Sequence, residues 1–108
     1  MNISKQSQIR IINDKLLAGV DRVGIIHFEP QILNFGLEFK NKVRMALKDF
    51  SNFNRFDDPH KEHEAGQFIV QGQWLIFRIH YFNLKMNGKS FAPWDARRTR
   101  RVLFVRLV

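Results

Sequence analysis

The chain has 108 residues, 44% of them apolar and 26% charged, which are ordinary globular proportions and exclude a disordered or fibrous chain. It has no cysteine, so disulfides, thiolate nucleophiles and cysteine-ligated zinc are excluded together. Of the net charge of +8, all but +2 falls in residues 84–108, where Lys85, Lys89, Arg97, Arg98, Arg100, Arg101 and Arg106 face Asp95 alone. A clustered positive field of this kind attracts polyanions and speeds their association.

The length fits one domain spanning residues 1–108, and eleven Phe supply a core that needs no covalent staple. No apolar run approaches the roughly 20 residues of a membrane span, so no membrane partner is expected. The opening MNISKQSQIR lacks a signal peptide's basic-then-apolar profile, and a cytoplasmic protein is expected.

In chain order, Ser4 caps a first helix whose apolar stripe is Ile9, Ile12 and Leu16, widened by Ile11 and Leu17, with Gly19 marking its stop. Val23, Ile25 and Ile26 favour a strand at about residues 22–28. Glu29-Pro30 opens a second helix, because proline fits a first helical turn. Its stripe is Ile32, Phe39, Val43, Ala46 and Phe50, joined by Phe35 and Leu47. Gly36 on that side offers close approach to another backbone. SNFNRFDDPHKEH (residues 51–63) reads as a loop. Residues 66–71 and 73–83 flank Gly72 as a β-hairpin. Residues 86–98 are irregular, and 100–108 form a last strand.

The expected fold is therefore α+β: a two-layer sandwich of order α-β-α-β-β-β. Two amphipathic helices would pack on one face of a three- to four-stranded, mainly antiparallel sheet. Leu75, Phe77, Ile79 and Tyr81, with Leu103, Val105 and Leu107, would face the helices. Trp74, Ile76, Arg78, His80 and Phe82, with Val102, Phe104 and Arg106, would face outward. Aromatics interleaved with cations suit base stacking and phosphate contact. Trp74, Phe82 and Phe104 are the candidate flat contacts. Arg78, Arg97, Arg98, Arg100, Arg101 and Arg106 are the candidate cations. The expected protein is thus a non-catalytic module for an anionic macromolecule, nucleic acid or a nucleoprotein surface. Other roles fit the same residues: a homodimer or protein-binding interface, a face covered by the 84–99 loop, or an arginine run guarding an edge strand.

The segment Asp57-Asp58-Pro59-His60-Lys61-Glu62-His63-Glu64 is the one dense set of ligand-type side chains. His60, Glu62 and His63, with His80 as a fourth group, are candidate metal ligands of a small metal-assisted enzyme. The same residues read equally as a turn with local hydrogen-bond partners. Glycine-rich phosphate loops and nucleophile elbows are absent, and no cofactor is expected.

Residues 57–66, Arg78-Ile79-His80-Tyr81-Phe82-Asn83 and Thr99-Arg100-Arg101-Val102-Leu103 together resemble three successive signatures of the bacterial domain of unknown function 3768 family. The resemblance is good over residues 57–105. Lys61 stands where members carry Gly, Ala65 where they carry an aromatic, and His80 where they carry Asp. The departure at position 80 removes an acid from any shared carboxylate chemistry. The resemblance implies a bacterial or phage-related origin, often on mobile elements, and it supplies no activity. Small basic proteins of such elements often act by binding, some as inhibitors of host defence nucleases.

Overall fold

The computed structural model describes residues 3–108. Helix α1 (Lys5–Leu17) starts where the sequence places it: Ser4 is extended, and its hydroxyl accepts from the Ser7 backbone N–H at 3.1 Å. Such a cap contributes about 1 kcal/mol. At the other end Gly19 N–H donates to Leu16 and Val20 N–H to Lys15, which satisfies carbonyls the helix leaves open. Ile9, Asn13, Leu16 and Leu17 are its buried residues, whereas Ile11 is exposed and does not widen the stripe.

Strand β1 (Gly24–Phe28) is followed by two helices where the sequence predicts one. Helix α2 (Pro30–Asn34) opens on its proline, and α3 (Leu37–Asp49) begins one residue after Gly36. Gly36 has φ 98°, a left-handed conformation that breaks the helical run. No atom lies near the side chain that a Cβ there would begin, so the glycine serves this bend and not a close approach. The apolar spacing survives the bend: Ile32, Phe39, Val43 and Leu47 are all buried.

Strands β2 (Ala65–Val70) and β3 (Gln73–Phe82) form the predicted hairpin. Its two turn residues, Gln71 (φ 49°) and Gly72 (φ 78°), take the double left-handed conformation whose twist matches that of the flanking strands. Strand β4 (Arg100–Leu107) completes a four-stranded sheet of order β1-β4-β3-β2. The sheet is mixed: β4 runs antiparallel to β3 and parallel to β1. Because β4 is internal, the arginines ahead of it guard no edge.

All helices lie on one face. Leu75, Phe77, Ile79, Leu103 and Val105 are buried against them, with Tyr81 and Leu107 half-buried at the ends of the same rows. Phe77 meets Phe50 edge-on at 5.2 Å and Phe53 at 6.4 Å between ring centres, so the start of the 50–64 loop is anchored in the core. The 84–99 loop returns along the end of β3, through Asn83 N–H to Gly88, Ser90 N–H to Tyr81 and a bridge between Phe82 and Lys89. On the opposite sheet face Trp74, Arg78, His80, Phe104 and Arg106 remain exposed, with loop residues 88–90 beside Arg78, His80 and Phe82 at one edge.

Candidate nucleic-acid interface

Strand register fixes what that open face carries. One row across the sheet is His27, Phe104, Arg78 and Ala65; the next on one side is Ile25, Val102 and His80; on the other it is Arg106, Ile76 and Gln67. Phe82 stands opposite Arg100, and Trp74 opposite Ile69. Trp74 is 55% exposed and Phe104 38%, with Phe82 half-buried and Val102 buried between its neighbours.

Aromatic rings run in a line over three strands. His27 and His80 both meet Phe104 edge-on, at 5.4 and 5.2 Å, and His80 lies nearly parallel to Phe82 at 6.2 Å. Arg78, His80, Phe104, Arg106 and Ile76 surround a shallow hollow of about 230 Å³. None of the four strands contains an Asp or Glu. The cations of this face therefore have no counter-charge on the sheet. Arg78, Arg100 and Arg106 are exposed; Arg100 donates to the Leu84 carbonyl at 2.8 Å, and Arg106 bonds only within its own strand.

The remaining cations divide. Arg97 and Arg98 are exposed on a short 3₁₀ turn leading into β4, with Arg97 3.5 Å from Asp95. Arg101 is not a surface cation at all: it is 1% exposed and points to the helical side, as its place in the alternation with Leu103 and Val105 requires. Its Nε donates to Asn13 Oδ1 at 2.8 Å, one terminal nitrogen donates to the Pro93 carbonyl, and the guanidinium lies over the Tyr81 ring at 5.0 Å. The other terminal nitrogen, Nη1, is buried without a hydrogen-bond partner. Burial pushes Arg101 down to about 10, partly opposed by the neighbouring Tyr81 and Glu62.

This arginine belongs to a polar network under α1 that sequence reasoning missed. Asn13 Nδ2 donates to the Tyr81 hydroxyl at 2.8 Å and to the Glu62 carbonyl at 3.0 Å. The Tyr81 hydroxyl oxygen lies 3.4 Å from the Glu62 carboxylate and 3.3 Å from that of Glu64, within donating reach of both. Burial raises the Tyr81 phenol above its ordinary value and, with the charge of Glu64 second, raises the Glu62 carboxyl. One signal was available: Asn13 falls four residues after Ile9 and three before Leu16, a polar residue at a core position.

The acidic-histidine segment is organised by Asp58, which is 3% exposed. Its carboxylate accepts backbone N–H bonds from Glu62 (3.1 Å), His63 (3.0 Å) and Glu64 (3.3 Å). His63 pairs through Nδ1 with Asp14 at 2.7 Å and stacks on Phe53 at 3.8 Å. His60 is exposed, Glu62 turns inward to Tyr81, and His80 lies on the opposite sheet face. The four candidate ligands thus do not converge, and no group of three His, Asp or Glu side chains suited to a metal occurs among the described residues. No helix among them is long and apolar enough to cross a membrane.

Residues 28–107 match a family described as protein of unknown function (DUF3768). The chain belongs to this family. The DUF3768 match reaches well beyond the 57–105 stretch of the sequence resemblance and takes in β2, β3, β4 and both helices of the 30–49 region. Trp74, Arg78, Phe104 and Arg106 lie inside it, while Ile25, His27 and α1 lie outside. No curated protein and no solved structure matches the chain.

Proposed function

We propose that the protein is a non-catalytic binding module that holds single-stranded nucleic acid on its open sheet face. One observation carries the reading: aromatic rings and arginines share the uncovered face of a sheet whose strands contain no acidic residue. Rings that stack on bases and guanidiniums that donate to phosphate oxygens are the two elements a single-strand platform needs. A self-paired dimer would also cover the apolar Ile25, Ile69 and Trp74. A two-fold pairing of this face would, however, bring a positive surface against its own copy, and an anionic partner has no such cost.

The test is fluorescence anisotropy of labelled single-stranded and duplex oligonucleotides at low salt, on the wild type and on Trp74→Ala and Phe104→Ala. The single strand is expected to bind more tightly, and each substitution to weaken it about 5- to 150-fold, the value of one stacked base. Absence of saturable binding, together with a dimer mass by light scattering, would replace this reading with self-association.

A further inference from the structure

On the helical side of the molecule, away from the open face, Arg10 of α1 and the 53–63 loop border a solvent-open cavity of about 330 Å³. Its walls carry Arg10, Arg55, Lys61 and His63 together with Phe53 and the carboxylate of Asp58. A volume near 300 Å³ is at the small end of ligand sites. The loop is fixed rather than loose. Asp58 ties down three successive N–H groups, Lys61 and His63 are held at φ 56° and 58°, and Arg10 reaches across to the Lys61 carbonyl at 3.5 Å and to Ser7 Oγ at 3.2 Å.

The acids nearby are already engaged. Asp58 is spent on its backbone donors, Asp57 accepts from Asn54 at 3.0 Å and from Gln67 at 3.5 Å, and Asp14 holds His63. Arg10, Arg55 and Lys61 form no ion pair with any described residue. Three cations, none in such a pair, therefore line one small, rigidly built cavity against the single carboxylate of Asp58, which faces its backbone donors. That combination suits a compact, multiply charged anion, and two guanidiniums with an ammonium match the oxygens of a phosphate better than those of a single carboxylate.

We propose that this cavity is a second binding site, specific for a phosphate monoester. The group can come from a free nucleotide or from the 5′ end of a strand. The site shares no residue with the open sheet face, so either can fail without the other.

The test is isothermal titration with inorganic phosphate and with uridine 5′-monophosphate. Wild type is compared with Arg55→Gln, Lys61→Gln, Arg10→Gln, and Arg22→Gln as a distant charge control. One saturable site is expected, weakened about tenfold or more by each of the first three substitutions, the value of one charge-assisted bond, and unchanged in the control. Arg55 is exposed and donates no side-chain hydrogen bond among the described residues, its cation–π partner being the neighbouring exposed Phe56, so its variant is expected to keep the fold even if Arg10→Gln disturbs the loop. A 5′-phosphorylated oligonucleotide that binds tenfold more tightly than the same strand with a 5′-hydroxyl, a gain that Arg55→Gln abolishes, marks a strand end as the source; equal affinities of the two strands mark the free nucleotide. No saturable binding, or binding that Arg55→Gln and Lys61→Gln leave unchanged, overturns the proposal.

Discussion

Replacing Asp58 by Ala removes the acceptor of three backbone N–H groups in one step. An unsatisfied buried donor costs about 1–3 kcal/mol. Glu62, His63 and Glu64 are half-buried, so water recovers part of that, and the 3.3 Å bond to Glu64 is the weakest of the three. The expected loss is therefore about 3–4 kcal/mol, toward the lower end of that range for each group. Against a domain stability of about 5–15 kcal/mol this is a large share. At about 4–8 °C per kcal/mol the melting temperature should fall by at least 12 °C. Circular dichroism on melting reads it directly. Asp58→Asn keeps an oxygen for Glu62 and Glu64 but presents an N–H to that of His63, and should fall between wild type and Ala. A drop of less than about 4 °C for Asp58→Ala would refute the view that this carboxylate organises the loop.

Two further outcomes follow from packing and protonation. A Cβ at position 66 would lie 2.4 Å from Phe50 Cζ and 2.9 Å from Phe77 Cε1, so Gly66→Ala should cost about 1–3 kcal/mol in urea unfolding; a neutral result would show that the Phe50 ring moves freely. The carboxyl of Glu62 is raised in the folded protein, so its ionisation opposes folding. Stability is lost as pH rises from the ordinary glutamate value through the raised one, and the penalty persists above it. Glu62→Gln should therefore stabilise the protein near neutral pH and have no such effect at acid pH, where both states are protonated; an equal effect at both would contradict this.

The parts of the fold that were legible in the sequence are those set by local chemistry. Ser4 marks a helix start because its hydroxyl meets an open N–H, Gly72 marks the hairpin, and period-two alternation sorted Leu75, Phe77 and Ile79 from Trp74, Arg78 and His80. The bend at Gly36 was hidden because apolar spacing continues through it. The parallel pairing of β1 with β4 joins residues some 77 positions apart, and nothing local to either strand encodes it. The open face was legible apart from Arg101, grouped with its charged neighbours although alternation assigns it to the core side. The Asn13–Tyr81–Arg101 network was not, since it depends on which helix lies over the end of the sheet. His80 looked close to His60 and His63 in sequence, but strand alternation turns it to the opposite face.

The most direct test of the open face is the salt dependence of single-strand affinity. Four exposed arginines without a carboxylate partner, Arg78, Arg98, Arg100 and Arg106, imply a log–log slope of about −2.8, or roughly a 50-fold loss of affinity from 50 to 200 mM salt. Arg78→Gln combined with Arg106→Gln should reduce the slope to about −1.4 and the loss to roughly sevenfold. A slope near zero in the wild type, or one that the double substitution leaves unchanged, would contradict binding of a phosphate backbone to this face.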